Sequence, residues 1–253
     1  MAERLTNGQG NDPRSAELAE RLAVVRKRIA AAAGAAGRSD RPPSLIVVTK
    51  FHPAEDIRRL AALGITDVGE NRDQEAAAKA VELADLDLTW HFVGQLQTKK
   101  AKSVARYAAA VHSVDRPQLV DALAKAVRNE IDSNGRSPLD CFIQVSLEER
   151  EHDGDGGRHR GGAAPADVPL LAERIAAADS LNLAGVMAVA PLGAPPEPAF
   201  EKLAGVSARL VAAYPAASGI SAGMSQDLEA AIRFGATHLR IGSDILGSRP
   251  AVG

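Results

Sequence analysis

The sequence predicts an α/β protein built as a single (β/α)8 TIM barrel with an extra N-terminal helix. Three observations predict it. Short β-branched runs alternate with segments of helical period, and there are eight such runs. Alternation with short connections builds a parallel sheet, and eight units close it into a barrel. The length of 253 residues suits one barrel, since such domains commonly run to about 250. No Gly-x-Gly-x-x-Gly follows the first strand, which argues against the alternative, a doubly wound dinucleotide-binding sheet.

The elements follow in order. Residues 1–14 are rich in Gly, Asn and Asp and are expected to form a disordered tail, leaving 15–253 as the single domain. Ser15 is a candidate cap for a helix carrying Leu18, Leu22, Val25, Ile29 and Ala32 on one face. Arg41-Pro42-Pro43 forbids its continuation. The strands are then expected at 45–49, 67–69, 90–93, 110–114, 141–147, 183–189, 218–222 and 238–241. The helices between them are expected at 53–63, 74–83, 99–108, 116–130, 165–178, 199–213 and 226–234. Residues 148–164 break this rhythm with a long loop of Gly, Arg, His and Asp. His152 and His159 in it lack a third ligand at metal-binding spacing, so no metal site is expected.

Composition excludes several functions. A net charge of −2 gives no global positive field for nucleic acid or anionic membrane, and 3% aromatics leave little for base stacking. The single cysteine, Cys141, forbids an internal disulfide and lies in an apolar run, so it reads as a buried strand residue. There is no apolar signal core at the N-terminus and no stretch of the ~20 apolar residues a membrane span needs. A cytoplasmic protein is expected.

Barrel chemistry sits at the C-terminal ends of the strands. The first strand delivers Thr49 and Lys50; the second, Glu70 and Asn71. The third delivers His91 and the fourth His112, Ser113 and Asp115; the sixth delivers Met187. The seventh delivers Ser221, Gly223, Met224 and Ser225, and the eighth Arg240, Gly242 and Ser243. Lys50 follows an apolar strand, so it is either a solvated lysine or a desolvated amine able to form a Schiff base. Ser225 is either a helix cap or one side of a phosphate clamp whose other side is Ile241-Gly242-Ser243. Arg240 is either an ion-pair partner, for example of Glu70, or the partner of a cofactor's pyridine nitrogen.

Several motifs carry a resemblance: Val48-Thr49-Lys50, Gly69-Glu70-Asn71, Trp90-His91-Phe92-Val93-Gly94-Gln95, His112-Ser113-Val114-Asp115, Ser221-Ala222-Gly223-Met224-Ser225-Gln226-Asp227 and Arg240-Ile241-Gly242-Ser243. In this order and spacing they resemble the YggS/PROSC family of pyridoxal phosphate homeostasis proteins, over about residues 18–249. The resemblance implies a fold-type III-like barrel, similar to the N-terminal domain of alanine racemase, holding pyridoxal 5'-phosphate as a Schiff base on Lys50. It implies Ser225 and Gly242 near the phosphate, Arg240 near the pyridine ring, and Asn71, His91, Ser113 and Met187 lining the pocket. Ser221, Met224 and Ser243, from the same strand ends, complete the candidate cofactor-binding set. Two departures stand out: Lys99 replaces the family's usual asparagine before Lys100, and Arg160 stands where a lysine is usual in the long loop.

The implied role is a monomeric carrier that buffers the cofactor inside the cell and delivers it to apoenzymes, with no catalytic residues. The alternative is an amino-acid racemase, which needs an acid/base on each face of the cofactor. Related racemases supply one of these with a tyrosine from an additional domain. Here Tyr107 and Tyr214 fall on expected outer helices.

Overall fold

The computed structural model describes residues 12–147, 161–191 and 193–248. Residues 1–11 of the tail expected at 1–14, and most of the long loop, 148–160, lie outside the described residues; Asp12, Pro13 and Arg14 are not tail but the cap and first turn of the N-terminal helix. Eight parallel strands pair β1-β2-β3-β4-β5-β6-β7-β8 and close through β1 and β8. They are β1 (Ser44–Val48), β2 (Asp67–Glu70), β3 (Thr89–Phe92), β4 (Ala110–Val114), β5 (Leu139–Gln144), β6 (Leu181–Met187), β7 (Gly219–Ser221) and β8 (His238–Ile241). Every expected strand is present, with ends moved by up to three residues.

The helices are α1 (Pro13–Ala35), α2 (Ala54–Ala62), α3 (Asp73–Glu82), α4 (Ala101–Val104), α5 (Pro117–Asn134), α6 (Val168–Ala176), α7 (Glu197–Ala213), α8 (Leu228–Arg233) and α9 (Ser243–Leu246). Two differences bear on the site. The helix after β7 starts at Leu228, not Gln226, and a short helix follows β8 that the sequence did not suggest. The cap of α1 is also corrected. Asp12, not Ser15, accepts from the Arg14 amide at 3.1 Å, and Ser15 donates to the same carboxylate. Pro13 then opens the helix, where its missing N–H costs nothing.

The core lies between strands and helices. Val47, Val68, Val111, Ile143, Val186 and Ile241 are buried against Ile57, Leu119, Leu123, Ile175 and Leu203 of the helix ring. Helix α1 buries Leu18, Leu22, Val25, Ile29 and Ala33 and packs against α2, α8 and α9. Cys141 is buried in β5, and burial pushes its thiol far above the usual range, so it behaves as a small apolar residue. No helix among the described residues is long and apolar enough to cross a membrane. None of the described His, Cys, Asp and Glu residues form a group able to hold a metal.

Candidate functional site

A cavity of about 600 Å3 opens at the C-terminal mouth of the barrel. This falls within the usual range of about 300–1,000 Å3 for small-molecule sites. Lys50 and Asn71 line it from one side. Met224, Ser225, Gly242 and Ser243 line it from the loops after β7 and β8, and Arg240 lines it from β8. These seven are the expected residues that the fold gathers.

Lys50 sits two residues beyond Val48, the strand partner of Gly69, on a tightly held turn. Thr49 donates its amide to the Gly69 carbonyl at 2.9 Å and its hydroxyl to Glu70 Oε1 at 2.7 Å. Phe51 then adopts a left-handed backbone with φ +68°. Such a conformation costs a side-chain-bearing residue about 1–2 kcal/mol. Two contacts hold it: the Phe51 amide donates to Glu75 Oε1 at 2.6 Å, and the Arg72 guanidinium lies 4.8 Å from the Phe51 ring centroid. Beneath the turn, the Lys79 ammonium donates to the Thr49 carbonyl, Glu70 and Glu75 at 2.9, 2.7 and 2.7 Å. Glu70 is therefore no partner of Arg240. It is fully buried under the Lys50 turn, where burial pushes its carboxyl up and Lys79 opposes the shift.

Arg240 is buried and points its guanidinium across the barrel. Nη1 donates to Ser221 Oγ at 2.7 Å and Nη2 to the Ala188 carbonyl at 3.0 Å. Burial pushes its pKa down to about 10, with Asp227 opposing, so it remains charged at neutral pH. Ser225 is not a helix cap. Gly223 turns the chain at φ +94°, and the Met224 amide donates to Asp227 Oδ1 at 2.6 Å, which delays α8 to Leu228. The Ser225 hydroxyl is left facing Ser243 Oγ at 3.4 Å. The expected phosphate clamp thus consists of two loops with opposed hydroxyls rather than a long helix end.

Four expected residues do not line this cavity. His91 lies deeper and borders a separate opening at the N-terminal end of the barrel, with Asp140, Asn182 and His238. Its side chain is drawn down by Asp67, which opens β2. Met187 packs with Ala110 and Phe142 inside the barrel. Ser221 is buried behind Arg240. The Ser113 hydroxyl is buried with no hydrogen-bond partner among the described residues. Ser113 lies where the β4–β5 register shifts, between Val111 and Val114.

Two contributors were missed. His52 lines the cavity, and burial lowers its pKa below the usual value, favouring the neutral ring. Arg28 of α1 braces both Ser-bearing loops from outside, donating to the Ser225 carbonyl at 2.9 Å, Asp244 at 2.8 Å and Glu229 at 2.8 Å. Nothing local in the sequence distinguishes Arg28 from a solvated helix arginine.

Gly94 explains one motif. A Cβ there would lie 2.2 Å from the Asn71 carbonyl oxygen and 2.7 Å from Asn71 Cα. Gly94→Ala must separate the Gly94 and Asn71 backbones, and Asn71 lines the cavity. The expected cost is about 1–3 kcal/mol of stability, read by urea unfolding. A ligand titration should weaken in parallel.

The amine, the guanidinium and the paired hydroxyls form a donor set that fits a small phosphorylated aldehyde with a heteroaromatic ring. A family profile described as "Alanine racemase, N-terminal domain" matches residues 21–250. The pyridoxal phosphate homeostasis protein of Corynebacterium glutamicum is 45% identical over 228 residues, covering 89% of this chain and 99% of that protein. The chain belongs to the pyridoxal phosphate homeostasis protein family. Another member, from Mycobacterium tuberculosis, is 42% identical over 93% of this chain and 94% of its own length. A solved relative, PipY, the COG0325 family member of Synechococcus elongatus, with PLP bound, superposes with a TM-score of 0.72 at 33% identity, covering 91% of this chain and all of that one. Alanine racemase from Streptomyces coelicolor shares the fold at TM-score 0.71 and 18% identity; this chain covers 59% of it.

Proposed function

We propose that this chain binds pyridoxal 5'-phosphate as a Schiff base on Lys50 and acts as a carrier in cofactor homeostasis, buffering and delivering the cofactor in the cytoplasm rather than catalysing a reaction. The observation that carries this reading is the convergence of Lys50 and Arg240 on one cavity, with Ser225 and Ser243 closing another side. Homologues named for pyridoxal phosphate homeostasis support it, as does PipY, a structural relative solved with PLP bound. When bound, the cofactor supplies an aldehyde carbon and a ring able to delocalise charge. Lys50 supplies the amine that holds that carbon. Ser225, Ser243 and the Gly242 backbone hold the phosphate, and Arg240 donates toward the ring nitrogen. An always-charged guanidinium would keep that nitrogen unprotonated, which weakens the ring as an electron sink.

The racemase alternative lacks a second base in the described residues. Tyr214 borders the opposite opening, and Tyr107 is largely buried against Trp90 with its hydroxyl pKa pushed up. His52 enters from the same strand end as Lys50 and offers no opposed face. The carrier acts as a monomer that passes cofactor to apoenzymes.

Absorbance of the purified protein with added pyridoxal phosphate tests the reading. A yellow protein bleached by borohydride, with the cofactor mass fixed on the Lys50 peptide and no racemisation of amino acids, is the expected result. A protein that stays colourless overturns the cofactor; racemase turnover overturns the carrier.

A further inference from the structure

The barrel interior holds a continuous hydrogen-bonded line that the cavity chemistry does not use. It starts at Asp67, the first residue of β2 and only partly exposed. Asp67 Oδ1 lies 3.0 Å from His91 Nε2, and His91 Nδ1 lies 3.0 Å from His112 Nε2. His112 Nδ1 lies 2.8 Å from Ser221 Oγ, which accepts from Arg240 Nη1 at 2.7 Å. The line therefore climbs from the N-terminal end of the barrel to the guanidinium at the floor of the C-terminal cavity.

We propose that Asp67, His91 and His112 are positioning residues that fix the hydroxyl of Ser221 and, through it, the orientation of Arg240. This rests on the reading that Arg240 faces the cofactor ring. When both imidazoles are neutral, the carboxylate end of the line dictates the proton positions. An arginine only donates, an ionised carboxylate only accepts, and a neutral imidazole does one of each. His91 therefore donates from Nε2 to Asp67 and accepts at Nδ1. His112 donates to it from Nε2 and accepts at Nδ1. The Ser221 O–H is then committed to His112, which turns its lone pairs toward Arg240. The opposite tautomer of His112 would set two bare nitrogens against each other at 3.0 Å.

The surroundings favour these states. The His91 hydrogen bond holds the Asp67 carboxyl below its usual range. His112 is fully buried and kept neutral by desolvation, with the charged Arg240 nearby disfavouring a further proton. Phe142 stacks on it at 4.3 Å between ring centroids. His238, 6.2 Å away, is pushed down to about 4 by burial and so adds no charge at neutral pH.

Nitrogen NMR of the histidine-labelled, cofactor-free protein tests the relay directly. Both His91 and His112 should carry the proton on Nε2 with a bare, hydrogen-bonded Nδ1. In Asp67→Asn an amide can accept or donate, so the constraint is lifted and His112 should populate both tautomers. Titration of that variant with pyridoxal 5'-phosphate should show roughly fivefold to tenfold weaker binding with a shifted absorbance maximum. Its thermal transition should not move. A wild-type His112 protonated on Nδ1, or an Asp67→Asn variant that binds as tightly as wild type, overturns the proposal. If wild type takes up no pyridoxal phosphate, the functional reading fails instead, and the cofactor-free histidine spectra still decide the relay.

Discussion

Lys50→Ala is expected to leave a folded, colourless protein from which pyridoxal phosphate washes out freely. Retention should fall by at least roughly a hundredfold, because the covalent attachment goes while the phosphate and ring contacts stay. Lys50 is only partly buried at a strand end, so the thermal transition should hold. Lys50→Arg should behave the same way: it keeps the charge but offers no free electron pair. The competing attachment point is Lys79, buried nearby. Its ammonium is surrounded by three acceptors, Thr49, Glu70 and Glu75, and so presents no lone pair. Lys50 is also the one lysine among the described residues that lines the cavity. Colour that survives in Lys50→Ala, with borohydride fixing cofactor on another lysine, would refute the assignment.

The strands and the cavity's polar residues were legible for the same reason. A parallel barrel presents its strand ends to one face, so a residue just past each β-branched run arrives at the mouth whatever its neighbours do. Lys50, Arg240 and the two Gly/Ser loops needed nothing more. Residues within the strands were harder, because their direction depends on register. His91 and Ser113 belong to motifs that read as pocket, yet one turns toward Asp67 and the other lies within the β4–β5 irregularity. Glu70 was misread because its partner, Lys79, lies on α3, nine residues away, and only the fold brings them together. The left-handed Phe51 had no signal at all, since a phenylalanine is an unexpected occupant of that conformation. Arg28 illustrates a long-range brace, formed across nearly the whole chain to Ser225 and Asp244.

Lys79→Met is expected to cost about 3–5 kcal/mol, the largest stability loss of the variants considered, because it strands the buried Glu70 carboxylate. Glu70 Oε2 has no hydrogen-bond partner among the described residues, so no second protein donor stands ready to compensate. The pH dependence has a definite sign. With its folded pKa raised above the unfolded one, Glu70 binds a proton more readily in the folded state. Stability then falls as pH rises through that window and recovers on acidification. The effect should be larger in Lys79→Met than in wild type, since the one cation opposing the shift is gone. Urea unfolding at about pH 5 and about pH 8 would measure it. An equal loss at both pH values would show that the cost comes from packing and not from the stranded charge. Adding Glu70→Gln to Lys79→Met removes that charge and should restore much of the stability. Cofactor binding should not return with it. Lys79 also holds the Thr49 carbonyl, as well as the Glu75 carboxylate that caps Phe51, so Lys50 stays on a loosened turn. A double variant that regains both properties would reduce Lys79 to a neutraliser of Glu70. One that regains stability alone separates the ion pair's two roles, charge balance below the strand and geometry above it.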